Sequence, residues 1–264
     1  MATSANDSWN ANLYATHSAH HRVQDAEFLA SIGLLPDANV LDLGSGTGEF
    51  TIKLAAGVPQ GGVLGIDSSE SQIEYARQVK ARNVKYRLGR LEELGSVLDE
   101  STFDAVISRA TLHWVAAEAH PALLSTIRAH LCPGGFLRAE FAGCGQMANV
   151  MALLDDVATS LGGKTGQVYM PTVEHYRALL LGAGYELSRG FVRYAFQKRS
   201  VPDYNALLGF MRSQPYVAYE PYLSAAQRQE FRETAERRAL SELRHDDGTY
   251  DLDFVRMDIF AFNP

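Results

Sequence analysis

Residues 40–55 restrict the possible fold more than any other stretch. Val40-Leu41-Asp42-Leu43 has the length and character of a buried strand, Gly44, Gly46 and Gly48 alternate through a turn, and Glu49-Phe50-Thr51-Ile52-Lys53-Leu54-Ala55 carries apolar residues at helical spacing. Strand, tight turn and helix recur along the chain. Gly62 to Asp67 reads as a second strand, Ser69 to Arg82 as a helix, and Val84 to Leu88 as a third strand. Phe103 to Ser108, the helical stretch Ala117 to Leu131, and Gly135 to Phe141 continue the alternation. This rhythm predicts right-handed crossovers and a parallel sheet with helices on both faces.

Beyond Phe141 the rhythm changes. Gln146 to Leu161 and Thr172 to Leu181 read as helices, Tyr185 to Phe196 alternates like a strand, and Pro202 to Arg244 is mostly helix broken at Pro215 and Pro221. A last strand is expected from Tyr250 to Phe262. No repeat, low-complexity tract or Pro/Gly/Ser linker marks a boundary, so the helices between the last two strands read as a cap rather than an independent domain.

At 264 residues with 46% hydrophobic content, one domain with an elaboration is the expectation. A net charge of −7 leaves no basic excess for nucleic acid. Cys132 and Cys144 are too few for a disulfide framework or zinc site and are expected in apolar surroundings, which fits a reducing cytoplasm. No export signal or membrane anchor is expected, since the first residues are polar and no apolar run reaches spanning length.

The glycine turn faces the crevice beyond the carboxyl ends of a parallel sheet. A dinucleotide turn would read Gly-x-Gly-x-x-Gly, but Glu49 stands where the third glycine belongs and is a poor neighbour for a pyrophosphate. A ligand with an ammonium, a carboxylate and a sulfonium suits the loop better. Backbone N–H groups can take the carboxylate, Asp42 and the Gly44 carbonyl the ammonium, and Asp67, ending the second strand, both hydroxyls of a ribose.

Asp42 to Gly48 together with Asp67 resembles the class I S-adenosylmethionine (SAM)-dependent methyltransferases. The resemblance implies a Rossmann-like α/β fold: a seven-stranded, mostly parallel sheet with helices on both faces and a helical cap near the C-terminus. It implies SAM as cofactor, held by Asp42, Gly44, Ser45, Gly46, Thr47 and Gly48, by Asp67 and Ser68, and by an adenine-binding segment with Leu91 and Glu92. Ser108 and Arg109 fall in the stretch Phe103 to Val115, which looks like the fourth strand and the loop under the methionine moiety. Leu131-Cys132-Pro133-Gly134-Gly135 is similar to the family's turn into the fifth strand. Arg90 departs from the pattern: many relatives have an acidic residue there for the adenine amino group, and Arg cannot accept that bond.

Trp9 to Tyr14, Leu112-His113-Trp114-Val115 and the long cap look like the trans-aconitate 2-methyltransferase group, which esterifies a carboxylate of a small acid. The whole chain, 1–264, is then one methyltransferase domain, with an N-terminal helical lid over 1–34 and a substrate cap within 145–246 around the sixth strand. A carboxylate acceptor is already a nucleophile at neutral pH, so positioning is the expected mechanism. His113 and Trp114 are the expected catalytic pair. For His113 the alternatives are a donor that orients the acceptor, a base for a hydroxyl or amine, or a buried histidine bonded to backbone. Trp114 is a pocket wall or simple core. Tyr14, His17, Tyr169, Phe210, Arg212 and Tyr216 are the expected substrate-binding residues. His17, His20 and His21 share a helical side, but nothing completes a metal site and none is expected. The cap's Arg212, Arg228 and Arg232 beside Gln167, Tyr169, Tyr216 and Tyr219 favour a more apolar acid over trans-aconitate. The expected partner is thus a small molecule, not nucleic acid or membrane, with monomer and homodimer both open. Transfer to nitrogen, carbon or hydroxyl, and a non-catalytic SAM-binding protein, are the competing readings.

Overall fold

A computed structural model of the chain describes residues 19–79 and 81–264. The expected strand–turn–helix units form: β1 (Asn39–Leu43), α2 (Glu49–Gly57), β2 (Gly62–Asp67), α3 (Glu70–Ala76) and β3 (Val84–Leu88) follow α1 (Ala19–Ala30). Next come a single turn α4 (Leu94–Val97), β4 (Phe103–Arg109), α5 (His120–Ala129) and β5 (Leu131–Ala142). The seven-stranded sheet has the order β3-β2-β1-β4-β5-β9-β6, where β6 is Glu186–Gln197 and β9 is Phe254–Phe262. β9 runs antiparallel between β5 and β6, while the pairs among β1 to β5 are parallel. The Rossmann-like reading therefore holds. After β1 the chain builds outward through β2 and β3, then returns to β4 on the other side. That reversal opens a crevice at the carboxyl ends of β1 and β4.

Local chemistry sets the element ends. Gly48 takes a left-handed φ of 80° immediately before α2. Ser69 caps α3 by accepting from the Gln72 amide. The expected helix to Arg82 ends sooner, at Ala76. The expected strand Tyr250 to Phe262 is split in two, β8 (Tyr250–Asp251) pairing with β7 (Ser200–Val201) before β9 begins. At the break, Leu252 N–H and Asp253 C=O bond to Arg199 C=O and Met147 N–H, which draws them out of the ladder.

The cap consists of α6 (Ala148–Ser160), α8 (Tyr204–Ser213) and α9 (Ala225–Glu242), with α7 (Val173–Gly182) packing instead on the sheet side. Its core is separate from the two that sandwich the sheet, and includes Leu153, Leu154, Met211, Tyr219, Phe231 and Ala235. A Ser224/Gln227 capping box starts α9. Across β5, β6 and β9, Arg138 and Arg193 both bind the buried Asp258 carboxylate, at 2.5 and 2.9 Å. Arg193 is largely exposed, whereas Arg138 and Asp258 are both buried, and removing one partner of such a buried pair costs roughly 3–5 kcal/mol. Cys144 is exposed and Cys132 half-buried, which corrects their expected placement in the core. Among the described residues no helix is long and apolar enough to cross a membrane.

Candidate active site

The turn after β1 is shaped by its neighbours. Gly44 and Ser45 amides both bond to Ile66 C=O, at 2.7 and 3.0 Å, which folds the loop over the end of β2. Gly44, Gly46 and Gly48 all have positive φ. A side chain at Gly44 would collide with Thr111, and one at Gly48 with Tyr86. At Gly46 nothing protein-borne lies closer than 4.0 Å, so a methyl there would instead enter the cleft that Gly46 lines. Asp67 spans the turn: Oδ2 accepts from Gly46 N–H and Oδ1 from Ser69 N–H, each at 2.9 Å. Burial raises its pKa, and the backbone donors from Ser69, Gly46 and Ser68 oppose that shift.

The cleft measures about 780 Å³. Gly44, Gly46, Asp67 and Ser68 form one side, Arg90, Leu91 and Glu92 a second, and Arg109 to Thr111 with Trp114 the floor, while Tyr169, Ala218 and Tyr222 bring the cap against it. Three buried polar groups of the floor and turn have no partner among the described residues: Gln72 Oε1, Ser45 Oγ, and the Nε and Nη2 of Arg109. Arg109 is held by Asp25 of α1 and lies against Phe28 and Phe50, with ring centroids 4.9 and 5.0 Å from Cζ. Its remaining donors therefore stand fixed at the cleft floor, where a carboxylate would satisfy them. These orphaned donors and acceptors, and the space in front of Gly46, fit an amino-acid and ribose ligand.

Behind Trp114 lies a second chamber of about 60 Å³. It shares Ala110, Trp114, Val168 and Ala218 with the cleft, and its own lining includes His113, Gln146, Met147, Met151, Met170 and Arg256. His113 Nδ1 accepts from Ala142 N–H at 3.4 Å, and its ring lies 5.0 Å from that of Trp114. Burial, with Arg256 nearby, lowers its pKa to about 3. His113 is thus neutral, with its proton on Nε2.

Several expected residues lie elsewhere. Asp42 is buried beneath the loop, accepts from Thr51 Oγ1 at 2.6 Å, and has its pKa raised to about 7 by burial. Ser45 and Thr47 are buried within the turn, and Ser108 is buried with its hydroxyl donating to Leu43 C=O at 3.1 Å. Phe210 and Tyr216 are cap core, edge-on to Phe254 and Phe231, and Arg212 makes a bidentate pair with Glu236 at 2.7 Å. For these three the packing corrects the expectation: the cleft wall in that segment is Val217, Ala218, Pro221 and Tyr222. Tyr169 does line the cleft, its amide bonded to His113 C=O at 2.9 Å. Arg90 sits at the cleft beside Glu92, 3.5 Å away. Tyr14 and His17 lie outside the described residues. Among the described residues no cluster of His, Cys, Asp and Glu could hold a metal ion. Arg256 and Gln72 were missed. The signal for Arg256 was its spacing from Asp258, two charges on one face of an otherwise apolar strand.

The fold recurs in solved structures. A Bacillus halodurans chain superposes with a TM-score of 0.63 at 16% identity, covering 92% of this chain and 99% of its own. Haemonchus contortus phosphoethanolamine N-methyltransferase 2, solved with S-adenosyl-L-methionine, gives a TM-score of 0.56 at 18% identity over 91% of this chain and 52% of its own. In sequence, residues 40–135 match a family model described as a methyltransferase domain. A trans-aconitate 2-methyltransferase of Deinococcus radiodurans is 33% identical over 185 residues, 67% of this chain and 69% of that protein. One of Delftia acidovorans is 32% identical over 129 residues, 49% of this chain and 47% of its own length. The chain belongs to the class I SAM-dependent methyltransferases. It is accordingly a SAM-dependent enzyme, and the non-catalytic reading falls away.

Proposed function

We propose that the protein methylates a carboxylate oxygen of a small-molecule acid, by positioning rather than proton removal. The observation that carries this reading is the state of His113. With its pKa lowered to about 3, the imidazole is too weak a base to activate a phenol or alcohol. A carboxylate needs no base, because above about pH 5 it is already ionised. When bound, SAM supplies a methyl carbon on a sulfonium; the acceptor oxygen takes that carbon, the C–S electron pair returns to sulfur, and no proton moves. The relatives' names, trans-aconitate 2-methyltransferase, support an acid as acceptor.

In this reading Asp67 holds the ribose hydroxyls, Gly44, Gly46 and Ser68 the backbone contacts, and Leu91 with Glu92 the adenine. Arg109 takes the methionine carboxylate, while Asp42 stabilises the cofactor's positive charge from behind the loop. Ser45, Thr47, Gly48 and Ser108 keep the turn in shape. Trp114 forms the wall beside which methyl transfer occurs. Residues 145–246 act as the substrate cap; of the expected lid over 1–34, residues 1–18 lie outside the described residues, and Asp25 ties the described part to Arg109. Free Cys132 and Cys144 suit a reducing cytoplasm.

The test is a pH profile of kcat on an accepted acid at saturating SAM. It should be flat from about pH 6 to 9. A tenfold rise per pH unit through the histidine range, with phenols or amines replacing acids as substrates, would overturn the reading.

A further inference from the structure

The three cap arginines that an acceptor with several carboxylates would need are engaged within the cap itself. Arg212 makes its bidentate pair with Glu236, and Arg232 makes a second one with Glu220, at 2.6 and 2.8 Å. Arg228 Nε donates to the carbonyls of Glu220 and Leu223, at 2.8 and 3.0 Å. None of the three lines the cleft. The chain between α8 and α9 presents apolar groups there instead. Pro215 and Pro221 open two short turns, Pro215–Ala218 and Glu220–Tyr222. Val217, Ala218, Pro221 and Tyr222 line the cleft, while Glu220 between them pairs with Arg232.

The loop after β4 supplies a second apolar stretch, Trp114 to Ala117, ended by the exposed Glu118 carboxylate. Among the described residues the cations that line the cleft are Arg90, beside Glu92, and Arg109, paired with Asp25 on the floor. Both belong to the cofactor's side. Lys164 lies on the Tyr222 ring, with Nζ 5.3 Å from its centroid, and is not part of the lining. Residues 1–18, outside the described part, contain no lysine or arginine. Tyr222 is 42% exposed and is, among the described residues, the one large exposed apolar side chain that lines the cleft. Such open apolar surface in a concave site is what a ligand's apolar body would cover.

We infer that the acceptor is a monocarboxylic acid with an extended apolar body, which lies between the Trp114 to Ala117 stretch and the cap wall ending in Tyr222. One carboxylate can face the sulfonium of bound SAM. Further carboxylates would have to leave water for an apolar wall without a partner, and Glu118 at its end would repel them. A tricarboxylate therefore does not match this half of the cleft. The inference rests on the carboxylate reading above and adds to it the type of acid recognised.

The test uses binding, which does not depend on turnover. The full chain, saturated with S-adenosylhomocysteine, is titrated calorimetrically with butanoate, hexanoate, octanoate and trans-aconitate. Affinity should rise about threefold for each buried methylene, so octanoate should bind roughly 80-fold tighter than butanoate. Trans-aconitate should bind roughly tenfold or more weakly than octanoate. Tyr222→Arg places a cation on the cap wall at an exposed position. It should weaken octanoate by roughly fivefold or more and strengthen trans-aconitate by about threefold or more, with S-adenosylhomocysteine affinity kept within about threefold of wild type. Should that variant fail to fold, judged by loss of S-adenosylhomocysteine binding, Tyr222→Ser takes its place and should weaken octanoate alone. Affinity independent of chain length, trans-aconitate bound as tightly as octanoate, no binding of any acid, or octanoate affinity unchanged in a folded variant would overturn the inference. If trans-aconitate is bound and methylated, the inference falls while the carboxylate reading stands. Turnover of amines or phenols and of no acid overturns that reading itself.

Discussion

Replacing Asp67 by asparagine probes the cofactor site with the least change in shape. A carboxylate offers about four lone-pair sites. Gly46 and Ser69 amides occupy one on each oxygen and the Ser68 amide also donates to the carboxylate, so the vicinal hydroxyls of a ribose bind to the acceptor capacity that remains. The amide of Asp67→Asn keeps one oxygen and turns the other site into a donor that faces a backbone N–H. One ribose hydroxyl loses its acceptor, the other loses charge assistance, and one part-buried N–H in the turn is orphaned. Charge-assisted bonds contribute about 1.5–3 kcal/mol each, so the combined loss is on the order of 2–4 kcal/mol. At 1.4 kcal/mol per tenfold, S-adenosylhomocysteine should bind about 30- to 700-fold more weakly. Calorimetric titration measures this directly, and a thermal melt of the apo variant isolates the cost to the turn. Affinity within threefold of wild type would refute the ribose placement and with it the orientation of the cofactor in the cleft.

Gly46→Ala should unfold only a few degrees earlier, since the added methyl meets no protein atom within 3.9 Å and only the left-handed φ of 53° is penalised. The same methyl occupies the cleft, so SAM binding should fall at least tenfold; retained affinity would show that the ligand does not approach this turn. Asp42, with a folded pKa of about 7 against 3.8, holds a proton in the apo protein that the unfolded chain has released. Its contribution therefore lowers stability as pH rises from 3.8 to about 7, and Asp42→Asn should flatten that decline in a series of melting temperatures. Binding a cationic cofactor should release this proton, so the apparent binding enthalpy near pH 6.5 should vary with the ionisation enthalpy of the buffer in wild type but much less in Asp42→Asn. Arg212→Ala removes a half-exposed surface pair with Glu236 and should leave kcat and KM for the acid unchanged; a tenfold rise in KM would return Arg212 to the acceptor site.

The sheet was legible because both its signals are local. Continuous apolar runs mark strands buried on two faces, and positive-φ glycines mark the turn that feeds α2. Asp67 was legible for the same reason, since its place at the end of β2 follows from the strand alone. The chamber beside Trp114 was not, because its lining comes from His113 after β4, Met147 and Met151 from the start of the cap, and Arg256 on the last strand. Arg212 and Tyr216 drew attention as polar residues on a cap helix, yet Glu236 and the Phe231 ring claim them through contacts distant in sequence. The shortened α3 and the split final strand have the same origin: tertiary hydrogen bonds and packing override a pattern that could have continued.

The most direct test of the account is to incubate the purified protein with SAM carrying a carbon-13 methyl and a series of small carboxylic acids, phenols and amines, and to locate the label by NMR and mass spectrometry. The account predicts an O-methyl signal on a carboxylic ester, removed by mild base, with acids as the reactive class. Label on nitrogen or on a phenolic oxygen, with every acid inert, would contradict it.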